Sequence, residues 1–387
     1  MPVSYFGDRL VSEKLFNEQL VNSPPPIIGV DIETISLKER IPVGFAIATS
    51  PKDSWYFRVL PEADSEIELV KPLLNNPRVK KVFHNSIFDL RTFPLIYDVD
   101  ETNIADTNVM ARILGYQETK LPTLALELLN RVLDSAQTVL SPRQTMLDVS
   151  YEKIAAMCAS HAEATLQLYH QFVGQIDKEY LAVEMKVIPI LIDMSLRGLG
   201  VNQEDRAKIE SKLKKELQFY KELCEAEDFN PASNQQVGYI LAKRGNFLPL
   251  TRSKKQLKVD EEQLEFLDDP LAAAVLSYRK IQKLLSTYIV PLAGEERIYT
   301  EYNLDAVVGR ISSSNKNLQN IPGAGTKSTI GGVLPEGCRY IYEPDSGMFT
   351  SGDFRQEHLY ILMHITGDRQ MQRVYYDGEF GGDIHCF

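Results

Sequence analysis

The stretch Ile27–Thr34, "IIGVDIET", decides how the N-terminal part of the chain is read. Ile27, Ile28 and Val30 make a short apolar, β-branched run, the pattern of a buried strand, and Asp31 and Glu33 finish it. Side chains two apart on a strand share a face, so the two carboxylates converge on one point. Two such groups repel each other, and one tends to take up a proton unless a divalent cation removes the conflict. Further on, "VFHNSIFDL" (82–90) repeats the theme. An apolar strand, Val82 and Phe83, leads to Asn85 and then to Asp89 at a helix start, four residues on and on the same face. Three carboxylates at element ends, beside an asparagine and the aromatic Phe88, suit a two-metal phosphodiester hydrolase. There one ion activates water and both stabilise the charged oxygens in line.

The surroundings divide the chain into three textures. Through residue 178, short β-like runs ("VGFAIATS", "SWYFRVL", "VKKVFHN") alternate with helical stretches, which predicts an α/β domain with a mixed sheet. Residues 179–296 are mostly helical. "EYLAVEMKVIPILIDMSLRGLGVN" (179–202) has helical spacing and stops at Gly198 and Gly200, and "NQEDRAKIESKLKKELQFYKELCEAEDF" (202–229) reads as a long exposed helix. From Arg297 to residue 387 strands return in "RIYTEYNLDAVVGRISSS", "CRYIYE" and "SGMFTSGDF", with a Gly-rich loop, "GAGTKSTIGG", among them. A net charge of −11 argues against nucleic-acid binding through overall charge but leaves room for a local basic channel. The four cysteines (Cys158, Cys224, Cys338, Cys386) form no CxxC or Cys/His cluster, so neither a disulfide framework nor a zinc site is expected. A reducing cytoplasm fits. No signal-peptide core and no apolar run of membrane-spanning length occurs.

"DIET" (31–34), "HNSIFDL" (84–90) and "SHAEATLQL" (160–168) resemble the three exonuclease motifs of the DEDD superfamily, in the form carried by the 3′–5′ proofreading domain of family A (DNA polymerase I-like) polymerases. "DTNVMARIL" and "LPTLALELL" stand where that family has its D-T helix and the helices after it. The resemblance implies an RNase H-like mixed sheet with Asp31, Glu33 and Asp89 as metal ligands and Asn85 in the second motif. The third motif departs from the family, which has a tyrosine, three residues and an aspartate. Aligned on "ATLQL", Met157 takes the tyrosine position and His161 the aspartate position. Glu163 lies about 200° round a helix from His161 and would not reach the same ion. Magnesium prefers oxygen donors, so His161 is a doubtful ligand, with Mn²⁺ as an alternative ion. The expectation is a nuclease fold with weak or absent proofreading.

"VVGRISSSNKNLQNIP" (307–322) is the most specific stretch. A glycine lets the backbone come close to a ligand ahead of Arg310, and a dense set of neutral donors follows, suited to sugar, phosphate and minor-groove contacts. It resembles the T-G-R-L-S-S-x-x-P-N-L-Q-N-I-P signature of family A polymerases. That implies Arg310 at the primer terminus with Asn317, Gln319 and Asn320 alongside. Val308 and Lys316 depart from the pattern. "VLSYRKIQKLLSTYIVPL" (275–292), with Arg279, Lys280 and Lys283, resembles the family's thumb-to-palm helix. "FNPASNQQVGYILAKRG" and "LTRSKKQLKVDEEQL" resemble thumb segments, placing Lys254, Lys255 and Lys258 at the thumb tip for sequence-blind phosphate contacts.

"GMFTSGDFRQEHLYILMHITGD" (347–368) resembles polymerase motif A, a strand ending at Asp353 and then a helix. The resemblance makes Asp353 a catalytic carboxylate that, with two Mg²⁺ ions, aligns the primer 3′ hydroxyl and the incoming dNTP. His358 stands where the family has the glutamate that crowds the sugar, and Tyr360 where it has an arginine. The family's fingers helix and its second catalytic aspartate do not follow before Phe387. The reading is therefore the N-terminal portion of a family A polymerase: an α/β exonuclease domain (1–178), a helical thumb (179–296) and a partial α+β palm (297–387). It binds a DNA primer–template and is either one half of a split polymerase that works with a second polypeptide or a truncation, with a phage-type replication enzyme as one origin. The rival readings are a stand-alone 3′–5′ exonuclease and a non-catalytic primer–template-binding subunit.

Overall fold

A computed structural model describes residues 3–6, 20–36, 40–59, 70–95, 99–253, 255–304, 309–321 and 338–378. Lys254, Val308 and the Gly-rich loop lie outside the described residues. The chain forms two compact units, Met1–Tyr342 and Glu343–Phe387.

The first unit begins with a six-stranded mixed sheet. Its strands are β1 (Val3–Phe6), β2 (Ile27–Thr34), β3 (Pro42–Ser50), β4 (Asp53–Arg58), β5 (Lys80–Phe83) and β6 (Ile104–Asp106), in the order β1-β4-β3-β2-β5-β6. β2, β3 and β4 form an antiparallel meander, and β5 and β6 add in parallel, each reached through a crossover. The period-2 alternation of β2 sorts its side chains. Ile28, Val30 and Ile32 enter one core with Phe45, Ile47 and Phe57. Gly29, Asp31 and Glu33 therefore share the opposite face.

Helices cover both faces. α1 (Ser86–Thr92) follows β5, α2 (Thr107–Ile113) follows β6, and α3 (Leu121–Leu129) comes next. α4 (Tyr151–Phe172) lies across β2, β3 and β4, with Ile154, Cys158, Ala162 and Leu166 buried in a second core beside Ala46, Ala48 and Tyr56. Met157, at the family's tyrosine position, is 3% exposed and belongs to this core. Gly29 sets how close α4 comes, because a Cβ there would run into the Ala162 backbone carbonyl and stand 3.0 Å from Leu166 Cβ.

α5 (Lys178–Arg197) ends at Gly198, whose φ of +65° suits a residue without a Cβ. Its Ile188, Leu191 and Ile192 sit in the first core with Leu304, so this helix completes the sheet domain as well as leading out of it. β7 (Leu199–Val201) pairs with β8 (Arg297–Ile298), bracketing the long charged α6 (Gln203–Glu225), α7 (Asn234–Lys243) and α8 (Pro270–Leu284). The sequence reading of α6 as one long exposed helix matches the structure. β9 (Glu301–Asn303) and β10 (Ser312–Ser314) form a short antiparallel pair.

In the second unit, α9 (Glu357–Thr366) and α10 (Arg369–Asp377) pack through Met363, Met371 and Val374. The strand expected to end at Asp353 does not form, and residues 344–354 are irregular. A strand needs a hydrogen-bonding neighbour, and none lies beside this segment among the described residues of the unit.

Candidate metal centre and nucleic-acid interface

The α4-facing side of β2 brings the first-motif carboxylates under His161. Its Nδ1 is 3.6 Å from Asp31 Oδ2 and 3.6 Å from Glu33 Oε1. Its Nε2 donates a 2.6 Å hydrogen bond to the Asp134 carbonyl, which orients the ring and points Nδ1 at the carboxylates. Cys158, one turn before His161, is fully buried and donates its thiol to the Asp31 carbonyl at 3.4 Å. The donor atoms of Asp31, Glu33 and Cys158 lie within 4.8 Å of one another. Asp31 Oδ2 is itself buried and has no hydrogen-bond partner.

Asp89 completes the acidic wall from α1. It is 4% exposed, and its Oδ1 accepts the Ile32 backbone N–H at 3.2 Å. The helix that presents it starts at Asn85, whose φ of +73° turns the chain sharply off β5. That turn is clamped by Asp106, which accepts from the Asn85 and Ser86 backbone N–H groups, the Ser86 hydroxyl, and the N–H groups of Asn108 and Val109. Asn85 itself is exposed at the rim.

Charge crowding shows in the proton affinities. Burial first, then the Asp31 charge, pushes the Glu33 carboxyl up to about 8, with His161 pulling it back. Burial, Asp31 and Asp106 hold Asp89 well above the usual carboxylate range. Burial alone would lower His161, but its close contact with the Asp31 carboxylate, joined by the Glu33 charge, lifts it to about 9. Glu163 is turned away and held by Ser54 at 2.7 Å and Arg131 at 2.8 Å, in line with its expected position round the helix. A cluster of acceptors with one orphaned oxygen fits a bound cation. With His161 in place of a carboxylate and Asp89 already serving Ile32, the donors fit one borderline ion better than a pair of magnesium ions.

Cys158 and the Asp134 carbonyl were missed by sequence reasoning. A cysteine amid "AAMCASHAEA" reads as a core residue, and a carbonyl has no sequence signature. The one available signal was the spacing Cys158-x-x-His161, which puts both on one helix face.

The polar string after Gly309 splits in two. Asn317 Oδ1 accepts from the Ser313 hydroxyl and from the backbone of Gln319 and Asn320, and Gln319 Nε2 donates to the Ile311 carbonyl. These residues shape the loop. Arg310 and Asn320 are exposed, and the Tyr288 hydroxyl donates to the Asn320 carbonyl at 2.7 Å. Ser286, Thr287, Lys316, Asn317 and Asn320 line a cavity of about 440 Å³ beside it. Arg279 is turned inward. Its Nε donates to the Pro231 carbonyl and Nη1 to the Val259 carbonyl, tying α8 to the loops of the thumb region. Lys283 and Lys255 are exposed, and Lys280 pairs with Glu261 and Glu265. In the second unit Asp353 and His358 are exposed.

A mixed sheet with a buried carboxylate centre beneath one long helix, continued by a helical region and a polar hairpin, defines an exonuclease-type domain joined to a polymerase-type one. The family model described as 3′-5′ exonuclease matches residues 11–177, and that described as DNA polymerase family A matches residues 201–387. The two matches follow one another along the chain, a region similar to 3′-5′ exonuclease ahead of one similar to DNA polymerase family A. DNA polymerase I of Chloroflexus aurantiacus is 29% identical over 93% of this chain and 41% of its own length. DNA polymerase I of Treponema pallidum is 26% identical over 79% of this chain and 32% of its own. The chain thus spans less than half the length of these relatives. The solved structure of the POL domain of Pol1 from M. smegmatis, in complex with DNA primer-template and dNTP, shares the fold at a TM-score of 0.72. It is 19% identical, covering 95% of this chain and 63% of that one. Domains of both families use divalent metal ions. The expected second polypeptide finds no support in these comparisons. Among the described residues no helix is long and apolar enough to cross a membrane.

Proposed function

We propose that this chain provides the exonuclease, thumb and first palm portions of a DNA-directed DNA polymerase acting in replication in the cytoplasm, and that it grips the primer–template through Arg310, Asn320 and the hairpin of β9 and β10. The observation that carries the reading is the exposed pair Arg310 and Asn320, presented by a loop whose other polar residues hold it in shape. Lys283 and Lys255 add phosphate contacts. Arg279 supports this surface by fixing α8. Asp353 serves as one carboxylate of a two-Mg²⁺ polymerase site for dNTP, with His358 near the sugar. The second carboxylate and the triphosphate-binding cations belong to the rest of such a site, in this polypeptide or a partner. In the exonuclease domain Asp31 and Glu33 would hold the ion, which when bound activates water, with Asp89 lining the same cleft. Without a third-motif carboxylate or tyrosine, proofreading is weak.

Fluorescence anisotropy on labelled primer–template tests the grip. Arg310→Ala should weaken binding on every sequence alike and reduce the salt slope by about one. Unchanged affinity and slope would refute it. Single-turnover digestion of single-stranded DNA with Mg²⁺ or Mn²⁺ tests the exonuclease, and a normal proofreading rate would refute the impairment.

A further inference from the structure

We infer that the exonuclease centre is a mixed-donor, zinc-type site, built from Asp31, Glu33, Cys158 and His161, that selects a borderline transition ion over magnesium. The inference rests on reading this cleft as the ion centre of an exonuclease-type domain, and it names the class of ion. It reverses the expectation, drawn from cysteine spacing, that the chain holds no zinc site.

Three independent features point the same way. The first is the donor set. Donor atoms of Asp31, Glu33 and Cys158 gather within 4.8 Å of one another at the end of β2 and His161 Nδ1 stands beside the two carboxylates; sulfur and nitrogen donors favour Zn²⁺ and its neighbours while Mg²⁺ asks for oxygen alone. The second is spacing. A tetrahedral ion with bonds of ~2.1 Å separates its ligand atoms by ~3.4 Å. His161 Nδ1 stands 3.6 Å from both Asp31 Oδ2 and Glu33 Oε1, so two edges of that tetrahedron are already close to their final length. Asp31 Oδ2, the corner atom, is buried with no hydrogen-bond partner.

The third feature is the support behind the histidine. Histidines that ligate metals generally donate their other ring N–H to a carbonyl or carboxylate, which fixes the tautomer and aims the free lone pair at the ion. His161 makes the same supporting bond through Nε2 to the Asp134 carbonyl at 2.6 Å, so that Nδ1 faces the ion position and presents its lone pair once its proton has left. Cys158 and His161, three residues apart on α4, offer neighbouring side chains to β2. The fully buried thiol donates a hydrogen bond to the Asp31 carbonyl; ion binding releases that thiol proton to solvent together with the protons on His161 Nδ1 and the Glu33 carboxyl, as sulfur, nitrogen and oxygen become ligands. Asp89 stays outside the set, because its Oδ1 is held by the Ile32 N–H.

The test uses the full chain, stripped with chelator and titrated with Co²⁺, Zn²⁺ and Mg²⁺. Co²⁺ should give the intense visible bands of a four-coordinate ion together with a near-ultraviolet sulfur-to-metal transition, and Zn²⁺ should displace it while excess Mg²⁺ does not. Cys158→Ser should abolish the sulfur transition, and His161→Ala should weaken Co²⁺ and Zn²⁺ binding by at least ~100-fold. His161→Asp should reverse the preference toward Mg²⁺ while leaving the fold intact by circular dichroism. Visible bands that survive in His161→Ala, or a sulfur transition that survives in Cys158→Ser, place the ion elsewhere and overturn the assignment. If the unaltered chain binds no Co²⁺ or Zn²⁺ but His161→Asp binds Mg²⁺, the cleft is an ion centre and the zinc-type inference alone falls. If neither binds any ion, the reading of the cleft as an ion centre falls with it.

Discussion

Gly29→Ala tests the link between packing and site most directly. Gly29 is on the same face of β2 as Asp31 and Glu33, and α4 rests on it. A methyl group there would stand 3.0 Å from Leu166 Cβ and overlap the Ala162 carbonyl, whose atom belongs to helix backbone and cannot rotate aside. Carbon–carbon contacts are comfortable at ~3.5–4.0 Å, so α4 must retreat by roughly 0.5–1 Å at Leu166 and further at Ala162. Overpacking of this kind costs about 1–3 kcal/mol. It should appear in urea denaturation as a lower midpoint with an unchanged slope. Because His161 immediately precedes Ala162, the same retreat pulls the imidazole from the carboxylates, and Co²⁺ affinity should fall in parallel. Gly174→Ala is the control, since nothing lies within 4 Å of a Cβ there, and it should stay within about 0.5 kcal/mol of the parent. If Gly29→Ala matched that control in both measurements, the close approach of α4 would not be what holds the site together.

Two further outcomes follow from buried groups. Asp106→Ala removes one carboxylate that serves four backbone N–H groups and a hydroxyl at two helix starts, so at ~0.5–2 kcal/mol per cap it should cost at least about 2 kcal/mol in denaturant titrations. A loss below 0.5 kcal/mol, on the order of a surface substitution, would contradict that role. His84 is held down from its ordinary 6.5 by burial, which outweighs the raising influence of Asp106 and its bond to the Thr119 carbonyl. The unfolded chain therefore binds a proton that the folded chain refuses, and stability should fall as pH drops below about 6.5, by up to ~1.4 kcal/mol per unit, until the folded pKa is reached. Above that value the contribution is fully present. Glu33 and Asp89 act in the opposite sense, so the difference between the parent and His84→Gln isolates the effect. A difference that stays flat from pH 7.5 to 5.5, at roughly constant offset, would rule it out.

The sheet and its first two acidic motifs were legible because their information is local. Alternation in "IIGVDIET" sets both the buried face and the direction of Asp31 and Glu33, and the apolar run before Asn85 sets β5. The strand before Asp353 was read from flanking resemblance, yet a strand depends on a neighbour that the segment does not itself encode. Arg279 shows the same limit. Its place on a helix was plain, but the Pro231 and Val259 carbonyls that hold it come from distant loops. Cys158 was hidden because a buried thiol and an ion ligand look alike in sequence.

The separation of the site's walls along the chain has a consequence for synthesis. Asp31 and Cys158, joined by a hydrogen bond, are 127 positions apart. The meander of β2, β3 and β4 emerges early and closes through short-range pairing, whereas α4 must wait for much of the domain to leave the ribosome. During that interval the nascent sheet shows water the face that α4 will cover, with Ala46, Ala48 and Tyr56 bare beside two mutually repelling acids. Docking of α4 hides the apolar strip and supplies His161 in a single late event, so the nascent chain is most exposed to misfolding just before its centre exists.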